Sequence, residues 1–244
     1  MATNNATNTG NPVIVSQGGT GLATLTTAYG VVCAGTTATG VLQNAGAGTS
    51  GQVFTSQGAS ALPTWSTNSA VGGFVLIGTA TASNSSAITF TGLTTAYAAY
   101  KLIIYNVTGS SAGASFLMRC STNNGSSYDS GNSYQWSNLY LKNNSAPATS
   151  TGGSSSDTNI AINGNSVSAT GGQTVNVEIN FYAPAASVTQ AFSWIGQYFR
   201  SADGWYQFSG GGTYNTQAVN ALQFLMSANN INTGTFKLYG LVAT

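Results

Sequence analysis

The stretch Val175-Asn176-Val177-Glu178-Ile179-Asn180-Phe181 alternates apolar and polar residues without a break. Only an extended strand sends successive side chains to opposite faces. Val175, Val177, Ile179 and Phe181 therefore line a core, while Asn176, Glu178 and Asn180 face water. No long segment carries an apolar stripe at i, i+3, i+4, i+7, and Glu and Lys, which suit helix interiors, are nearly absent. Thr, Ser, Asn and Gly stand in their place, and these favour strands, turns and side-chain bonds to the backbone. The expected class is all-β. Hydrophobic residues make up 42% and charged residues 4%, so the chain collapses instead of staying disordered.

Charge and composition exclude several functions. The five basic residues are scattered, and the formal net charge is +1. Phosphate binding needs clustered Lys or Arg, so no nucleic-acid partner is expected. The same scarcity disfavours an anionic membrane surface, and no apolar run is long enough for membrane insertion. Met1-Ala2-Thr3-Asn4-Asn5 has neither the basic nor the apolar region of a signal peptide, so synthesis in a cytoplasm is expected. There is no His, and Cys33 and Cys120 lie far apart. No metal site and no cofactor are expected, and both thiols read as buried and reduced. The carboxylates Asp129, Asp157, Glu178 and Asp203 include no pair close in sequence, and a nucleophile triad lacks its usual base. No catalytic residue is predicted. Glu178 is expected to be solvated on the outer face, or paired with Arg119 or Arg200. Gly18-Gly19-Thr20-Gly21 is followed by neither a Lys nor a helix, so it reads as a turn and not a phosphate loop.

The text of the chain changes near residue 70. From Val13 to Trp65 it is a string of short Gly-punctuated pieces whose apolar runs are brief: Val13-Ile14-Val15, Tyr29 to Cys33, Val41-Leu42 and Val53-Phe54. So little apolar volume cannot close a core alone. Burying these pairs against copies of the same chain solves the problem, which predicts a trimeric stem. After Gly73 longer strands are expected at Phe74 to Ile77, Ile88 to Phe90, Tyr100 to Val107, Ala114 to Cys120 and Val175 to Phe181. Further strands are expected at Ala191 to Phe199, Trp205 to Phe208, Ala221 to Met226 and Phe236 to Val242. Turn signals are Asn123-Asn124-Gly125, Asn163-Gly164, Gly171-Gly172, Asp203-Gly204 and Gly210-Gly211-Gly212. Asn143 to Asp157 reads as an exposed polar loop. About ten strands without helices predict an antiparallel, jelly-roll-like β-sandwich.

The segment Ser16 to Trp65 resembles a module of bacteriophage tail-fibre proteins. The likeness rests on Gln17-Gly18-Gly19-Thr20-Gly21, Leu25-Thr26-Thr27-Ala28-Tyr29 and Gly35-Thr36-Thr37-Ala38-Thr39-Gly40. It continues through Gly48-Thr49-Ser50-Gly51-Gln52-Val53-Phe54-Thr55-Ser56 to Ala61-Leu62-Pro63-Thr64-Trp65. Arg119 to Tyr128 is also similar to a strand-and-turn of fibre heads. The resemblance implies a homotrimer in the virion, with an attachment arm at 1–12 that holds other virion proteins of the tail or baseplate. It further implies an intertwined stem at 13–72 and a receptor-binding head at 73–244. A single copy of the module implies a short fibre. A capsid fibre or decoration protein and a free lectin-like protein are the rival readings.

A head that adheres to a host glycan or surface protein needs aromatic faces beside amides and carboxylates. Two regions combine them near turns. The first runs from Tyr128 to Trp136 and offers Tyr128, Asp129 and Trp136. The second runs from Tyr198 to Tyr206 and offers Arg200, Asp203 and Trp205. Trp136, Trp194 and Trp205 serve equally well as core or trimer-interface aromatics, whereas Tyr128, Asp129, Arg200 and Asp203 suit exposed loops.

Overall fold

Two units make up the chain, Met1–Ser69 and Ala70–Thr244. The computed structural model describes residues 27–34, 41–67, 73–143, 148–163, 174–182, 184, 188–200, 204–215 and 217–242. Among these, every helix or strand assigned is a strand, and every strand pairing is antiparallel. The attachment arm expected at 1–12, the glycines at 18–21 and the turns at Gly164 and 171–172 lie outside the described residues.

The first unit holds β1 (Val32–Cys33), β2 (Gln43–Asn44), β3 (Gln52–Thr55) and β4 (Thr64–Thr67), paired β1 with β2 and β3 with β4. Trp65 sits opposite Phe54 with ring centroids 5.0 Å apart and donates its indole N–H to the Gly46 carbonyl at 2.9 Å. Val32, Val41, Val53 and Phe54 nevertheless remain exposed. Cys33 is half-buried where a buried thiol was expected, because a two-residue strand gives it little cover. Cys120 is buried.

The second unit contains β5 (Phe74–Ser85), β6 (Ile88–Thr91), β7 (Tyr97–Gly109), β8 (Phe116–Ser121), β9 (Tyr134–Asn143) and β10 (Ala148–Asp157). β11 (Ile160–Ala161), β12 (Val175–Tyr182), β13 (Gln190–Arg200), β14 (Gly204–Tyr214), β15 (Ala221–Met226) and β16 (Ile231–Val242) follow. Eight strands form one sheet in the order β10-β9-β14-β13-β12-β7-β16-β5, and four form a second in the order β11-β8-β15-β6. The two sheets share one apolar core. Phe236 of the large sheet meets Phe116 and Phe224 of the small one at centroid separations of 6.1 and 5.7 Å. β12 realises the alternation seen in the sequence: Val175, Val177, Ile179 and Phe181 are buried, and the residues between them are half-buried.

Two expectations fail. Asn143 to Asp157 is not a loop: from Ala148 onward it is the edge strand β10, paired with β9. Its Thr and Ser side chains suit a strand at an edge, where backbone pairing supplies the cohesion and no apolar alternation is needed. Gly210-Gly211-Gly212 is not a turn but the middle of β14. A Cβ at Gly210 would lie 2.6 Å from Trp194 Cε2 and 2.5 Å from the Ser137 carbonyl, and it would meet Asn138 Oδ1 as well. The missing side chain makes room for a buried pair: Trp194 donates its indole N–H to Asn138 Oδ1 at 2.7 Å. Asn138 in turn donates to the Ala161 carbonyl at 2.8 Å, which ties the large sheet to β11. Glycine marked a close approach here, not a bend.

Candidate functional site

The face of the eight-stranded sheet that points away from the core carries a concavity of about 820 Å³. It crosses the five neighbouring strands β9, β14, β13, β12 and β7. Register sorts this outer face into rows. One row runs Asn143, Trp205, Phe199; the next runs Leu141, Gln207, Gln197, Asn176; a third runs Leu139, Ser209, Ile195, Glu178, Ile103. An amide row thus lies between an aromatic row and a largely aliphatic one. Ile195 is 52% exposed, Leu141 46% and Trp205 41%, values foreign to a face meant only for water.

Local structure fixes these side chains. Trp205 is held edge-on by Phe199, with centroids 5.4 Å apart and planes at 81°. At the far side β7 bulges: Val107 and Ile104 pair with Val175 and Val177, so Tyr105 and Asn106 together face Asn176. Asn106 adopts φ 58, and its N–H is taken by Asn176 Oδ1 at 2.8 Å. Such a bulge re-aims a side chain, and it leaves Tyr105 in the groove lining, with Lys237 Nζ 5.8 Å from its ring. Glu178 lies on the outer face as expected. Its partner, however, is Lys101 on β7, at 2.5 Å, and neither Arg119 nor Arg200. The sheet register decides this, because Lys101 stands opposite Asn180, one outward position away.

The residues singled out from sequence do not converge. Trp205 lines the groove, beside the hairpin in which Arg200 faces Gly204, the latter at φ 98. Arg200 is half-buried, and Asp203 lies outside the described residues. Trp136 is not in a loop: it belongs to β9, is half-buried against the core, and donates its indole N–H to Asp157 Oδ2 at 2.9 Å. Tyr128 and Asp129 lie at the other end of β14, where Tyr214 donates to Asp129 Oδ2 at 3.0 Å. Tyr214 lies nine residue steps along β14 from Trp205, so the two regions stand about 30 Å apart.

Asp129 is occupied by its own loop. Its Oδ1 accepts the Gly131 N–H at 2.7 Å, and its backbone carbonyl accepts the Tyr134 hydroxyl at 3.0 Å. Partial burial pushes its pKa up. The Gly131 N–H, the Ser133 and Tyr214 hydroxyls and the charge of Arg119 outweigh that and hold the carboxyl below its ordinary value. Burial, then the bond to Asp129 and its charge, raise the Tyr214 phenol. Burial also raises Tyr128, against a hydrogen bond with Thr89. A carboxylate with a depressed folded pKa stabilises the fold above its unfolded value of about 3.9, and that stability is lost as pH falls through the lower folded value. The melting temperature of the wild type should therefore fall more steeply than that of Asp129→Asn below about pH 4. Equal slopes in a thermal titration would refute the role.

Ile195, Gln197, Gln207, Leu141, Asn176 and Tyr105 had not been singled out from sequence. A signal existed in β13, where Phe192, Trp194 and Tyr198 share the buried parity while Ile195 and Phe199 sit on the polar one. Among the described residues no three His, Cys, Asp or Glu side chains gather to hold a metal ion. Fold and groove together define, among the described residues, an antiparallel β protein with a concave outer sheet face. Compared with known proteins, the chain matches no family model, no curated protein and no solved structure.

Proposed function

We propose that this protein is a bacteriophage tail fibre, a homotrimer whose first unit is an intertwined stem and whose second is a jelly-roll-like sandwich that adheres to the host cell surface. The observation that carries the adhesive reading is the groove: a concavity with an exposed Trp and free polar groups, on a sheet face with no structural need for them. The stem reading rests on the resemblance of Ser16 to Trp65 to fibre modules. The apolar side chains that the first unit leaves in water also support it. Val32, Val41, Val53 and Phe54 are exposed, and a second copy of the chain would give them cover. Virion location and anchoring through the first residues follow from the same resemblance.

Three heads on one fibre bind cooperatively, so modest single-site affinity suffices. Replacing Trp205 and Arg200 by Ala should reduce adsorption of the full-length protein to host cells by more than tenfold, with the oligomer intact in light scattering. Undiminished adsorption would remove the groove from the reading. A monomer in solution would remove the stem. Antibody labelling of particles in electron microscopy separates a tail position from a capsid one.

A further inference from the structure

The chemistry of the groove defines its ligand more narrowly than adhesion alone, and this inference rests on the adhesive reading above. We infer that the groove binds an uncharged oligosaccharide, laid across the strands along the row Gln207, Gln197, Asn176, with Trp205 under one sugar ring.

Four observations carry it. First, Gln197 and Gln207 face each other across β13 and β14, both are exposed, and neither amide makes a hydrogen bond within the described residues. Side-chain amides donate and accept at once, which matches the hydroxyls of a sugar. Second, Trp205 is held upright by Phe199 and stays 41% exposed, offering an apolar face to the C–H side of a pyranose. Third, the lining carries two formal charges of opposite sign. Glu178 is closed against Lys101, and the Lys142 ammonium sits 5.9 Å from the Tyr206 ring centre. An anionic ligand calls for clustered Arg or Lys, and the lining has no such cluster. Fourth, the size fits: about 820 Å³ lies within the usual range for ligand sites. Five strands at their ordinary spacing give a path of about 19 Å, long enough for several rings.

The competing occupants fit less well. A neighbouring copy in the proposed trimer would meet the groove heterologously, with another of its surfaces, and that occupancy would show as no sugar binding in the titration. An extended peptide gains most of its affinity by pairing with a sheet edge. Here the groove lies across interior strands whose backbone groups are already paired on both sides.

The test uses the full-length protein. It is titrated, with Trp fluorescence as the readout, against short uncharged oligosaccharides of gluco, galacto and manno configuration and against uronic-acid oligomers. Saturable binding of at least one uncharged sugar, unchanged between low and high salt, is expected. Gln197→Ala and Gln207→Ala should each weaken it about tenfold, with no change in melting temperature. Preference for the uronic acids, or glutamine variants that bind as wild type, overturns the inference. So does failure of every sugar to bind while the protein still adheres to cells in a Trp205-dependent way; a protein receptor then occupies the groove and the adhesive reading stands. Failure to adhere to any cell type sinks both.

Discussion

Gly210→Ala should destabilise the second unit by about 3 kcal/mol or more, and Gly210→Val should prevent it from folding. The added Cβ would have to occupy space 2.5 Å from the Ser137 carbonyl oxygen, a backbone atom locked in the β9–β14 ladder. It would also press on the Trp194 ring and on Asn138, whose bond at 2.7 Å satisfies two buried polar groups at once. Displacing that pair leaves an indole N–H and an amide oxygen buried without partners, at about 1–3 kcal/mol each. The neighbouring glycines provide the control. At Gly211 the nearest atom to an added Cβ is the Phe192 carbonyl at 3.4 Å, so Gly211→Ala should be within about 0.5 kcal/mol of wild type. At Gly212 the Gln135 carbonyl lies 2.8 Å away, and substitution should again be costly. Urea unfolding of the three alanine variants should therefore read severe, neutral, severe. A uniform effect across the three would show that the strand register is wrong, because the alternation follows from which face each glycine occupies.

Phe236→Ala is expected to cost about 3–5 kcal/mol. Its ring is fully buried and bridges the sheets, touching Phe116 on β8 and Phe224 on β15, which themselves stack at 5.8 Å. Removing it opens a cavity where the two layers are joined, and neither sheet can move inward without breaking its own ladder. The drop should appear as a lower urea midpoint with little change in slope. Phe199→Ala tests the difference between core and site. Phe199 lies on the outward parity beside Trp205, so its loss should cost little stability yet weaken ligand binding by freeing the Trp205 ring. A Phe236 variant with a near-wild-type midpoint would mean that the sheets do not share the core described.

The adhesive reading ties these stability effects to function through rigidity. Among the described residues, each one lining the groove sits on a strand whose inward neighbours are packed in the core. Ile195 and Gln197 are placed by Trp194 and Tyr198, and Gln207 by Tyr206 and Phe208. A ligand arriving at such a face meets side chains whose backbone positions are already fixed, so only their rotamers remain to be ordered.

Much of the architecture was legible in the residues. The alternation of β12, the strands β5 to β8, and β13 to β16 all follow from apolar runs bounded by turn residues. The Asn123-Asn124-Gly125 turn also forms as read, with Asn124 at φ 57 and Gly125 at φ 84. β9 and β10 were hidden because Tyr134–Asn143 mixes polar and apolar residues on its inward parity and Ala148–Asp157 has no apolar residue beyond its first. Trp205, read as a core or trimer-interface aromatic as well as a contact residue, lies on the outer face at 41% exposure, while Trp136 and Asp129 are held by Asp157 and by the Gly131 loop.

Sequence alone determined the class of this protein, because side-chain period, β propensity and the shortage of charge are local properties that each residue carries wherever it lies. Tertiary structure alone decided which outward residues meet. The row Gln207, Gln197, Asn176 lies on the consecutive strands β14, β13 and β12, and its members share one line only because the antiparallel registers bring one residue of each strand to it. A shift of one residue in any of those ladders would turn an amide into the core; the alternation in the sequence gives each residue its face but not the partner it stands beside on the next strand.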